Sequence, residues 1–134
     1  EVLGEAGMTP RVISVSFSTP APERARLIRA AMDDVADETD AVFASDDLTA
    51  CTILDWAQHS GRRVPGDLRV IGFDGTSAIR AAVPWLTTVQ QPIALISRTA
   101  VDLLLARINA VDTTPAPLPT TVELPVTLLE GTTA

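Results

Sequence analysis

Two aspartates stand directly after short apolar runs: Asp46 after Ala41–Ser45 (AVFAS) and Asp74 after Leu68–Phe73 (LRVIGF). A hydroxyl pair, Ser18-Thr19, follows a third run, Arg11–Phe17 (RVISVSF). Carboxylates accept hydrogen bonds from sugar hydroxyls or ring N–H donors, and short hydroxyls both donate and accept. Neither aspartate has a nucleophile and base arranged near it in sequence, so the pattern points to binding rather than to a reaction. Each aspartate also has a plain structural role open to it. Asp46 can cap the helix that follows, and Asp74-Gly75 can simply make a turn. A single His and a single Cys leave little material for a metal site. The acids at Asp33, Asp34, Asp37, Glu38 and Asp40 lack the Gly-centred spacing of a calcium loop and read as a solvated helix end. His59 reads as a surface residue at a helix end, and Cys51 as a core thiol.

The elements that would position these residues follow from periodicity. Glu1–Gly7 reads as the tail of a helix closing on Gly7. Arg11–Phe17 alternates and is β-branched, which predicts a strand. Thr19 can cap the next helix, with Pro20 at its first position. Leu27, Ile28, Ala31, Met32 and Val35 form one helical face, and the acids beyond Val35 oppose the helix dipole, so that helix should stop there. Ala41–Ser45 is a second strand, and Asp47–Ser60 a helix with Leu48, Cys51, Ile53, Leu54, Trp56 and Ala57 on its apolar side. Val64–Asp67 is a turn, Leu68–Phe73 a third strand, and Ser77–Val83 a short helix before Pro84. Trp85–Gln91 is extended. Ile93–Ile108 is a helix with Ile93, Ile96, Ala100, Leu103, Leu104 and Ile108 on one stripe. Asn109–Pro119, with three prolines, is a linker. Thr121–Leu129 alternates as a strand, and Pro125 within it implies a sheet edge or a switch between sheets. Strand, helix, strand, helix, strand predicts a parallel sheet with covering helices, all strands ending at one rim. In open sheets of this kind ligands bind at the carboxyl rim.

The 134 residues suffice for one modest core, and 46% hydrophobic content predicts that the chain packs. No run approaches the roughly 18 apolar residues of a membrane span. The net charge of −7 repels phosphate backbones, so this chain by itself should bind no nucleic acid. One cysteine excludes an internal disulfide and fits a reducing compartment.

Three ordered blocks carry a family resemblance. Val64–Gly75 (VPGDLRVIGFDG) resembles the VPxDxxVxGFDD signature of LacI/GalR-type transcriptional regulators. Ala44–Leu48 (ASDDL) resembles their A-S-N-D-L strand-to-helix junction, with Asp46 where Asn is common. Pro84–Pro92 (PWLTTVQQP) is similar to their PPLTTVxQP crossover. The resemblance covers nearly the whole chain and is weakest before Asp40.

It implies an α/β fold, a parallel sheet flanked by helices, as the C-terminal subdomain of a periplasmic-binding-protein-like (type I) core plus a helix and crossover of the other subdomain. Residues 1–90 would form most of the C-terminal subdomain without its first strand. Residues 91–120 would be crossover, helix and linker from the N-terminal subdomain, and 121–134 a returning strand and tail. The implied function is the sensing core of a dimeric, cytoplasmic, non-enzymatic regulator. Its effector, sugar-like or nucleoside-like, sits between subdomains, and operator DNA is bound only through an N-terminal helix-turn-helix domain outside this chain. Asp46 and Asp74 map onto effector contacts, Gln91 onto the polar crossover residue near the cleft, and Phe17 onto the aromatic after the first strand. No cofactor or metal is implied. The family's effector-clamping Arg lies upstream, and the closing R-x-S/T element is replaced by Glu130-Gly131-Thr132-Thr133. The other expectation is a periplasmic sugar-binding protein of a transporter, which shares the fold. With half a cleft, the chain should bind effector weakly. It should dimerise, by exchanging the Ile93 helix or the C-terminal strand.

Overall fold

The computed structural model describes residues 2–109 and 121–134, so most of the expected linker Asn109–Pro119 lies outside the described residues. Four strands form one sheet in the order β1 (Ala41–Phe43), β2 (Arg69–Asp74), β3 (Thr87–Gln90) and β4 (Thr127–Leu129). The first three are mutually parallel, and β4 runs antiparallel to β3 at the edge. An edge is where the proline just upstream of β4, Pro125, does least harm, since it has no N–H for a ladder.

The helices are α1 (Val2–Glu5), α2 (Ala21–Val35), α3 (Asp47–His59), α4 (Ser77–Ala82) and α5 (Ile93–Asn109), with a 3-10 turn over Ala36–Glu38. Gly7 closes α1 at φ 71°, and its N–H donates to the Gly4 carbonyl. Helix α2 stops at Val35, within the acid cluster. One of those acids is bonded across the helix pair. Asp33 accepts the indole N–H of Trp56 at 2.7 Å, which ties α2 to α3. Ile28, Met32 and Val35 of α2 meet Ala50, Ile53, Trp56 and Ala57 of α3 over Leu68, Val70 and Leu86. Each fully buried side chain of Leu or Met size stabilises by about 1.5–3 kcal/mol relative to exposure. The core therefore lies between α2–α3 and one face of β2–β3, and it fixes α3 against the strands whose ends it overhangs.

Three expectations need correction. Arg11–Phe17 joins no strand of the sheet, and Val12 and Phe17 are 80% and 74% exposed. Alternation defines two faces but supplies no ladder partner, and only Val15 packs against the core. The N-terminus of α2 is not capped by Thr19. Pro20 occupies the cap position without a side-chain bond, and the helix begins at Ala21 with Pro22 in its first turn, where no N–H is needed. The returning strand spans only Thr127–Leu129, because its partner β3 offers four residues and three of them pair.

Beyond β4 the tail turns back into the sheet. Thr133 is 3% exposed. Its carbonyl takes the Val70 N–H, and its hydroxyl donates to the Val70 carbonyl and accepts from the Thr87 N–H, at 2.7, 2.7 and 2.9 Å. It thus fills the gap between β2 and β3 just before their ladder starts. Helix α5 buries none of its residues, and Ile93, Val101, Leu104, Leu105 and Ile108 are all more than half exposed.

Candidate ligand rim

The carboxyl ends of β1, β2 and β3 lie at one side of the parallel sheet and carry Asp46, Asp74 and Gln91. The rim is thus built from three strands, as expected. Its third strand is β3, however, and Gln91 takes the place foreseen for Ser18-Thr19.

Asp46 sits between β1 and α3 in extended backbone and is the N-cap of α3. Its Oδ1 accepts the Thr49 N–H at 2.8 Å, and its Oδ2 accepts the hydroxyls of Thr49 and Ser45 at 2.9 and 3.0 Å. Burial works to raise its pKa, but the backbone and hydroxyl donors from Thr49, with Ser45 and the Leu48 N–H, outweigh it and hold the carboxyl below its ordinary value. Asp46 is therefore ionised, and most of its roughly four acceptor positions are taken.

Asp74 is the last residue of β2, opposite Gln90 of β3. Its φ of 111° is outside the usual range for a residue with a Cβ. Such a conformation costs about 1–3 kcal/mol, persists only where the surroundings enforce it, and clusters at ligand sites. The enforcement is visible. The Asp74 carbonyl accepts the Gln91 N–H at 3.1 Å, and its Oδ1 accepts the Gln91 side-chain amide at 2.7 Å. Among the described residues, Oδ2 of Asp74 takes no hydrogen bond. Gln91 also opens onto a cavity of about 360 Å³ formed with Gln90, Pro92, Ile93 and Thr127 at the start of α5. Phe17 is not joined to these residues. Its ring lies 5.4 Å from the Arg24 guanidinium, and its carbonyl accepts from Arg24 at 3.4 Å.

Sequence reasoning passed over Asp47, the first residue of α3. It is 2% exposed. Its Oδ2 accepts the Gly75 N–H at 2.9 Å and its Oδ1 the Thr88 hydroxyl at 2.5 Å. One buried carboxylate thus joins α3, the end of β2 and the middle of β3. Gly72 makes room for it, since a Cβ there would collide with Oδ1. Gly75 is fixed at φ 60°, packed so closely on Gln90 that a Cβ would lie 2.7 Å from the Gln90 Cα, and its carbonyl accepts the Gln90 side-chain amide at 3.1 Å. The available signal was the Asp-Asp pair after a strand: one residue caps, and the next, about 100° further round the helix, faces back to the sheet.

The whole chain, residues 1–134, matches the family model described as "Periplasmic binding protein-like domain". The chain belongs to that family. It is 40% identical over 127 residues to the sucrose operon repressor of Pediococcus pentosaceus, covering 95% of this chain and 37% of that protein. A transcriptional regulator CelR–cellobiose complex superposes with a TM-score of 0.76 at 33% identity, covering 98% of this chain and 39% of that one. A LacI family regulator from Arthrobacter sp. FB24 in complex with lactose gives 0.72 at 27% identity, covering 98% and 48%. The chain is thus a LacI/GalR-type effector-binding segment in sequence and fold, and spans less than half the length of these relatives. Among the described residues no helix is long and apolar enough to cross a membrane.

Proposed function

We propose that this chain is part of the effector-sensing core of a dimeric, cytoplasmic, DNA-binding transcriptional regulator, and that it binds its small molecule without transforming it. The observation that carries this is the Asp74–Gln91 pair: a carboxylate with one oxygen free among the described residues, held on a strained backbone at the carboxyl rim of a parallel sheet. An acceptor of that kind beside an amide suits a neutral polyhydroxyl or N–H-bearing ligand, sugar-like or nucleoside-like, and repels an anion. The sugars named for the repressor relatives and the bound neighbours support a sugar. Asp46 supports the rim mainly as a cap, and Phe17 stands outside it, against Arg24. Residues 1–90 belong to one subdomain, 91–120 to crossover, helix and linker of the other, and 121–134 to the return. Operator DNA is bound by a separate N-terminal domain, because this acidic chain is unsuited to it. The apolar face of α5 supports close assembly with further protein, including the partner subunit.

The test is calorimetric titration of the full-length gene product with cellobiose, sucrose, ribose and lactose. One of them should bind, and Asp74→Ala should weaken it by about tenfold or more while operator affinity holds. Unchanged sugar affinity in Asp74→Ala would remove the rim from the site. Light scattering should give a dimer, and a stable monomer would contradict that part.

A further inference from the structure

The peptide between Asp74 and Gly75 is held at both ends. Its carbonyl oxygen accepts the Gln91 N–H at 3.1 Å, and its N–H donates to the buried carboxylate of Asp47 at 2.9 Å. That plane sets ψ of Asp74, and with φ at 111° it decides where the Asp74 side chain stands relative to Gln91. The same Asp47 carboxylate takes the Thr88 hydroxyl on β3, two residues before Gln90 and three before Gln91. Asp47 is therefore bonded to both strands that deliver the pair, and Asp46, its neighbour, anchors the helix end from which it reaches.

We propose that Asp47 is the positioning residue of the ligand rim: it touches no ligand itself, and it holds Asp74 and Gln91 in register by clamping the Gly75 N–H and the Thr88 hydroxyl. This rests on the reading of Asp74–Gln91 as the ligand-contacting pair. Precise binding constellations depend on supporting residues whose own positions are locked by packing and hydrogen bonds. Here the support is a carboxylate with both oxygens used, under a glycine that leaves it space. A ligand that pulls on Asp74 also pulls, through one peptide, on the N-terminus of α3, so the rim and that helix respond as a unit.

The experiment uses the full-length gene product and the four sugars above. Asp47→Ala should weaken the bound sugar about tenfold, whereas Asp47→Asn, which keeps an acceptor for Gly75, should stay within about threefold. In an Asp74→Ala background, Asp47→Ala should add less than about twofold, since its effect passes through Asp74. A purely structural role predicts equal losses in both backgrounds, and either that result or an Asn variant as weak as the Ala variant overturns the proposal. A second readout does not depend on a ligand. In 15N-resolved spectra of Asp47→Asn, the Gly75 amide and the Gln91 side-chain amide should shift together. A displaced Gly75 signal with Gln91 unmoved overturns it as well. If wild type binds none of the four sugars, the sugar reading fails, and the spectra still decide whether Asp47 positions the pair. The same spectra decide it if Asp47→Ala does not fold.

Discussion

Replacing Asp47 by Ala should be among the most damaging single changes outside the apolar core. The carboxylate is buried and accepts from two donors, the Gly75 N–H and the Thr88 hydroxyl. Hydrogen bonds to a charged group contribute about 1.5–3 kcal/mol each, and a buried donor left without a partner costs about 1–3 kcal/mol. The Thr88 hydroxyl can rotate in search of another acceptor, but the Gly75 N–H cannot, because its peptide is fixed by Gln91. Removing a buried charge also recovers its desolvation, which offsets part of the loss. The net expectation is about 2–5 kcal/mol, a large share of the roughly 5–15 kcal/mol that holds a domain of this size together. Asp47→Asn is the informative comparison. Its carbonyl can accept from Gly75 and its amide can donate to the Thr88 oxygen, so both contacts survive without charge, and the loss should be about 1 kcal/mol. Urea denaturation of the 134-residue chain, followed by circular dichroism and by tryptophan fluorescence, to which buried Trp56 and exposed Trp85 both contribute, measures both. With a slope of about 2 kcal/mol per molar, the Ala variant should lower the midpoint by about 1–2.5 M and the Asn variant by about 0.5 M. An Ala variant within about 0.5 kcal/mol of wild type, or equal losses in the two variants, would refute the bonding argument.

Two further changes probe the same corner. Gly75→Ala should destabilise by about 2 kcal/mol or more, because a Cβ meets both the φ of 60° and the Gln90 backbone at 2.7 Å; an unchanged urea midpoint would count against the packing described. Asp46→Ala should cost about 1 kcal/mol near neutral pH through loss of the α3 cap. Its folded pKa lies below the ordinary carboxylate value, so its contribution is present above that value and is lost as pH falls through the folded one. The wild-type advantage over Asp46→Ala should therefore shrink below about pH 4, and an advantage that grows with acid would reverse the assignment.

The parallel α/β class and the helices α2, α3 and α5 are legible because their apolar residues recur at helical spacing between short apolar runs. What sequence could not supply was partnership. RVISVSF has the composition of a strand, yet a strand exists only when another backbone takes its hydrogen bonds, and periodicity carries no information on that. Thr121–Leu129 is over-read for the same reason, limited by the four residues of β3. At the rim, Asp46 and Asp74 were found because they follow strands. Asp47 was hidden in plain composition, since an acid in the first turn of a helix is explained well enough by the helix dipole. Its burial becomes apparent only with the glycines at 72 and 75 and Thr88 in place, residues distant in sequence that each leave space or offer a donor.

Three carboxylates within this corner have diverged in role because of what surrounds them. Asp46 meets three donors on its own helix and neighbouring Ser45, so its charge is committed to ending a helix. Asp47 meets one donor just past the end of β2 and one on β3, so its charge is committed to holding them together. Among the described residues Asp74 meets a single side-chain donor, on the crossover to α5, and keeps one oxygen free. A ligand hydroxyl approaching Asp46 finds most of its acceptor positions already taken, which leaves little net gain. At Asp74 the same hydroxyl adds a bond to an acceptor already aligned by Gln91. Selectivity at this rim should therefore follow the geometry of the Asp74–Gln91 pair, and Asp46 should register mainly in stability.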